Sequence, residues 1–98
     1  MSFTTNGFKF NKYINIAGVI TTILKIRKLN CILIGKLNGC LELINYSNYE
    51  VLHSFHLITD AIYDIKKSKR FDLNEYIVAT YSGIFYIKII NNIISLSY

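Results

Sequence analysis

The sequence predicts an all-β chain made of two four-stranded antiparallel units in tandem. Three observations carry this. The apolar residues are mostly Ile, Tyr and Phe, side chains that suit the pleated surface of a strand. Residues 35–46 read GKLNGCLELINY, two apolar runs around Asn38-Gly39, the strongest short-range hairpin signal because both turn positions favour positive φ. Residues 79–90 read ATYSGIFYIKII, the same shape around Ser82-Gly83.

The 98 residues suit one small domain, and a 52% hydrophobic content supplies a core and argues against disorder. The first segment, FTTNGFKFNKYINI at 3–16, reads as one or two strands, the outer edge of a preceding unit. A first unit then runs over 18–56 and a second over 57–98, after an N-terminal segment at 1–17. In the first, VITTILKI (19–26) is a strand, CILIG and CLELIN flank the tight turn, and YEVLHSF (49–55) is the fourth strand. In the second, ITDAIYDI (58–65), YIVAT, GIFYIKI and NNIISLS (91–97) take the same order.

With Gly39 placed on Gly83, an offset of 44 matches Ile32 with Tyr76, Ile34 with Val78, Gly35 with Ala79, Leu41 with Phe85 and Leu43 with Ile87. Upstream the match runs at offset 39, Val19 with Ile58 and Ile23 with Ile62, which implies five extra residues within KKSKRFDLNEY. A two-residue turn at Asn38-Gly39 sets Leu37 opposite Cys40 and Cys31 opposite Tyr46. It also puts Ile32, Ile34, Leu41 and Leu43 on one face and Cys31, Leu33, Ile44 and Tyr46 on the other. Both faces are apolar, as in a sheet stacked between neighbours rather than one with a wet side.

A repeat of about 40 residues with four antiparallel strands is the organisation of a propeller blade. The stretches CILIGKLNGCLELIN (31–45), Ile62-x-x-Ile65, YIVATYSG (76–83) and GIFYIKI (83–89) resemble WD-repeat, β-transducin-like blades over about 80 residues. The signature Trp-Asp position falls on Ile44-Asn45 and Lys88-Ile89, and the signature Gly-His is absent. The resemblance implies a partial β-propeller acting as a scaffold in protein complexes. Two blades do not close a ring of four to eight. Closure then needs further blades of a longer protein, association of several copies, or the two sheets meeting as a small sandwich or barrel.

The chemistry-bearing residues point away from catalysis. Cys31, Cys40, His53 and His56 are the soft-ligand set, yet their spacing does not suit a tight metal loop, so no metal and no cofactor is expected. The hairpin separates Cys31 from Cys40 by too much for a disulfide, and two cysteines without a signal peptide read as free thiols in a reducing compartment. Asp60, Asp64, Asp72 and Glu75 read as turn and strand-end carboxylates, and neither a nucleophile elbow nor a Walker loop is present, so no enzyme is expected.

Lys66-Lys67-Ser68-Lys69-Arg70 is the sharpest charge cluster and gives the rival reading. In it, a small basic β-domain binds nucleic acid through this loop with Lys25, Arg27 and Lys28, with Tyr63, Phe71 and Tyr76 as stacking rings. The net charge of +5 fits it, although Ile, Asn, Lys and Tyr make up almost half of the chain, a bias that makes Lys a default surface residue. The leading expectation is a non-catalytic module whose partner, a protein or further blades, binds across the turns Asn38-Gly39 and Ser82-Gly83 and the loop 66–74. The longest charge-free stretch near the start, Tyr13 to Leu24, has 12 residues, short of the roughly 20 of a membrane span. An intracellular setting, cytoplasmic before nuclear, follows from these readings.

Overall fold

The computed structural model describes residues 2–3, 14–15, 18–69 and 74–97. It is all-β, with two four-stranded antiparallel sheets. Strands β1 (Ser2–Phe3) and β2 (Ile14–Asn15) pair with each other as a separate two-stranded ribbon. Sheet 1 has the order β3 (Ile20–Ile26), β4 (Cys31–Lys36), β5 (Cys40–Asn45), β6 (Val51–His56). Sheet 2 runs β7 (Ile62–Lys67), β8 (Glu75–Thr80), β9 (Gly83–Ile90), β10 (Ile93–Leu96) in the same spatial order. Each unit is a meander, so every strand pairs with its sequence neighbour and all connections are short.

The register explains which residues face inward. Gly35 pairs with Leu41, and Cys31 with Asn45. The first turn therefore has three connecting residues, 37–39, and not the two-residue form expected from Asn38-Gly39. The Gly39 amide donates to the Lys36 carbonyl at 3.1 Å and Gly39 has φ of +88°, the pattern of a tight turn closed by a left-handed glycine. That single residue moves Leu41 and Leu43 to the other face. Cys31, Leu33, Leu41 and Leu43 point to sheet 2, whereas Ile32, Ile34 and Ile44 point away from it. In the second hairpin Thr80 pairs with Gly83, so the connecting residues are Tyr81-Ser82.

The repeat offsets change accordingly. Gly35 and Ala79 remain equivalent, but their cross-strand partners are Leu41 and Ile84, an offset of 43 after the turn. On the first strands, Ile20 and Ile62 occupy the same place, opposite Lys36 and Thr80. The offset there is 42, and both strands bulge at the next residue, Thr21 and Tyr63. Residues 58–61 are the connector between the units, not the start of a strand. The Ile26–Cys31 pair matches Ser68 and Glu75, where the Ser68 amide donates to the Glu75 carbonyl at 3.0 Å, so the second copy carries two extra loop residues rather than five. Asn91 and Asn92, expected within a strand, are instead a two-residue hairpin turn with φ of 53° and 62°.

The sheets stack face to face, β7 against β3 and β4, and β10 against β6. The core between them joins Ile26, Cys31, Leu33, Leu41 and Leu43 to Ile62, Ile65, Tyr76, Val78, Ile87, Ile89 and Ile94. Gly35 lies under this contact. A Cβ there would stand 2.6 Å from Ile62 Cγ2 and 2.7 Å from Thr22 Cγ2, so the methyl of Ile62 occupies the space that glycine leaves. Each buried aliphatic side chain contributes on the order of 1.5–3 kcal/mol.

Equivalent residues of the two units point opposite ways relative to this core. Leu33, Gly35 and Leu41 face it, while their counterparts Ile77, Ala79 and Ile84 face away; Ile32 and Ile34 face away, while Tyr76 and Val78 face it. Two sheets related by a two-fold would present like faces to each other. These are related by a same-sense step from one sheet to the next.

Candidate interaction surface

The same-sense step leaves the two outer faces unequal. On sheet 1, Ile32, Ile34 and Ile44 are buried to 3% exposure or less, and Ile20, Tyr46 and Tyr49 pack against them. A buried ion pair shares this face, with Lys36 Nζ 3.0 Å from Glu42 Oε2, which also accepts from the Ser54 hydroxyl at 3.2 Å. Ile23 and Val51 are exposed at its margins. On sheet 2 the outer face carries Ile77, Ala79, Ile84, Tyr86, Ile90 and Ile93. Ile84 is 66% exposed, Ile90 52% and Ile93 54%. The strand pattern therefore continues its apolar alternation onto a face open to water, with Asp64 and Lys66 on β7 and the half-buried Lys88 on β9 as its charges.

One end of this face is closed by a buried carboxylate. Glu75 is fully buried, and accepts from the Ser68 hydroxyl at 3.0 Å and the Ser97 hydroxyl at 2.6 Å. These bonds satisfy a charge that would otherwise be costly to bury. Glu75 begins β8, a strand-end carboxylate, and its buried side chain joins the loop after β7 to the chain beyond β10. Asp60 accepts from the Ser82 hydroxyl, and Asp64 accepts from the Ile65 amide at 3.0 Å, roles at a turn and a bulge.

The two tight turns and the basic loop lie at opposite ends of the sheets, because each strand of a meander reverses direction. They do not share one rim. Gly39 is buried, and its carbonyl accepts from the amides of Leu57 and Ile58 at 3.1 and 3.4 Å. A Cβ at Gly39 would run into the Ile58 carbonyl. This turn fastens the connector between the units, while Asn38 beside it is exposed and accepts from the Cys40 amide at 3.1 Å. Gly83 begins β9, its amide donating to Thr80 Oγ1 at 3.1 Å.

In the basic loop Lys66 lies 3.8 Å from Asp64, and Lys67 donates to the carbonyls of Ser68 and Glu75 at 3.0 and 3.3 Å. Lys69 is exposed, and Arg70, Phe71 and Asp72 lie outside the described residues. The fold brings Arg27 and Lys28 of the β3–β4 connection to this end, where with Lys25, Lys67, Leu24, Ile26 and Tyr76 they line a recess of about 240 Å³. Tyr76 is 1% exposed, and Tyr63 sits near the opposite end at the bulge, against Tyr81. Neither ring is placed to stack on a base beside these cations.

Burial pushes the Cys31 thiol up from its ordinary value. Burial likewise raises the Tyr76 hydroxyl, with Cys31 adding to it, and that hydroxyl is buried without a hydrogen-bond partner. Cys31 and Cys40 are free thiols. Cys40 Sγ lies 3.1 Å from His56 Nδ1 across the β5–β6 pair, a contact that the linear spacing did not suggest but the register does. His53 points to the other face and accepts from the Ile94 amide at 2.9 Å, tying β6 to β10. Among the described residues no three His, Cys, Asp or Glu side chains group to hold a metal ion.

No protein-family model matches the chain, and no curated protein is significantly similar to it. No helix among the described residues is long and apolar enough to cross a membrane.

Proposed function

We propose that the chain is a non-catalytic protein-interaction module, two WD-type blades of a partial propeller whose open blade face receives a protein. The observation that supports this reading is the face exchange between equivalent residues. Repetition by a same-sense step always ends in a sheet whose far face is the counterpart of a covered one. Here that face presents Ile84, Ile90 and Ile93 to water. An apolar sheet face of this kind marks an interaction surface in a folded protein. The binding element is therefore the sheet face rather than the turn and loop segments.

The rival reading, nucleic-acid binding, is favoured by one observation, the gathering of Arg27, Lys28 and Lys67 around one recess. Half-buried rings stand beside the lysines at that end, Tyr46 with Lys25 Nζ 4.0 Å over it and Tyr86 with Lys66, Lys67 and Lys69, and this arrangement belongs to the rival reading. A photo-crosslinking residue at position 84 or 69, introduced singly into the full chain and activated in cells, separates the two readings. The module reading expects protein adducts at 84. Nucleic-acid adducts at 69, with binding that falls steeply as salt rises, would replace it with the rival.

A further inference from the structure

We infer that the open face of sheet 2 is self-complementary and pairs two copies of this chain about a two-fold axis. The inference rests on the interaction-module reading and names the partner. Within the chain, stacking depends on a small residue that receives a branched one: Ile62 fills the space over Gly35. The counterpart of Gly35 on the open face is Ala79, again the small residue of its strand. Its direct cross-strand neighbour is Ile84, the most exposed isoleucine among the described residues.

A depression and a projection thus sit side by side on β8 and β9. A two-fold axis between them sets Ile84 of each copy over Ala79 of the other, so one contact is made twice. The face carries both signs, Lys66 with Asp64 at 3.8 Å on β7 and Lys88 opposite the buried Glu75 on β8, so like charges are not its sole content. Sheet 1 offers no equivalent docking face, because Ile32, Ile34 and Ile44 at its centre are buried. Copies therefore cannot add head to tail into a ring or filament, and the assembly closes at two. Four strands about 4.8 Å apart and about 20 Å long make a face of roughly 400 Å², or about 800 Å² over two copies, below the roughly 1,200 Å² of stable interfaces, so the dimer is a weak one that dissociates on dilution.

The test is the solution mass of the full 98-residue chain by light scattering on a sizing column, from about 1 μM to about 1 mM. Circular dichroism of each peak reports the fold. The expected result is a monomer that becomes a dimer as concentration rises. Ile84→Lys and Ala79→Leu, which remove the projection and fill the depression, hold the chain monomeric with an unchanged β spectrum. Ile23→Lys, on the margin of sheet 1, still dimerises. A folded wild-type chain that stays monomeric throughout, a dimer dissociated by Ile23→Lys but not by Ile84→Lys, or a ladder of larger species would each overturn the inference. In any of these cases, adducts at position 84 with another protein leave the module reading standing.

Discussion

The most constrained single positions are those where the backbone or a neighbour leaves no space. Gly39 combines a φ of +88° with the Ile58 carbonyl where a side chain would begin. Gly39→Ala is expected to cost more than the 1–3 kcal/mol of backbone strain alone, because the connector between the units must also shift. A chemical-denaturation midpoint, or failure to recover folded protein, reads this out. Tyr76 behaves in the opposite way. Its hydroxyl is buried without a partner, so Tyr76→Phe removes a desolvated polar group and keeps the ring, and stability is expected to hold or rise. Cys31 and Tyr76 also set a pH dependence. Both have raised values in the folded state, so at alkaline pH the unfolded chain releases protons that the folded chain retains. Their contribution is complete below the unfolded thiol value of about 8.5 and is lost as pH rises through the folded values. The urea midpoint is expected to fall above about pH 8.5, with a smaller fall in Cys31→Ala.

At the scale of the strand and hairpin, pairing partners decide the effect of a change. Lys36 and Glu42 form a buried pair on the outer face of sheet 1. Lys36→Met alone leaves a carboxylate that is 17% exposed and keeps its Ser54 hydrogen bond, which costs less than the roughly 3–5 kcal/mol of a fully buried charge, whereas the double change with Glu42→Leu recovers most of the loss. A double-mutant cycle by urea unfolding measures this coupling. The hairpins also show what is legible locally. Asn38-Gly39 marked the first turn, yet its three-residue form, with the Gly39 amide bonded to Lys36, is a choice that dipeptide identity does not make. The Asn91-Asn92 turn had a readable signal, since asparagine tolerates the left-handed region; the apolar run Ile93-Ile94 beside it drew those residues into a strand assignment.

For the whole molecule, the joint between the sheets is the decisive feature. It holds the core, and at the far edge it includes the His53–Ile94 hydrogen bond. His53→Ala is expected to speed amide exchange at Ile94 by about tenfold while the amides of β8 remain protected, since local opening of an edge strand costs less than global unfolding. Uniform acceleration across both sheets would show instead that the bond holds the stack itself. The tandem organisation, the order of strands and the small residue shared by Gly35 and Ala79 were all present in the chain's apolar periodicity and turn residues. These features are local, and period-2 alternation with glycine and asparagine punctuation writes them directly.

Tertiary structure alone decided the faces. Alternation says that Leu41 and Glu42 point opposite ways, but not which points to sheet 2; that depends on one residue of turn length, and a one-residue difference exchanges every side chain between core and surface. The Cys40–His56 contact and the burial of Glu75 by Ser68 and Ser97 come from pairing within each unit, whereas the exposure of Ile84 follows from that exchange and from the same-sense stacking. The sequence by itself determined two similar sheets. Which face of the second stays open was settled only when the two sheets packed.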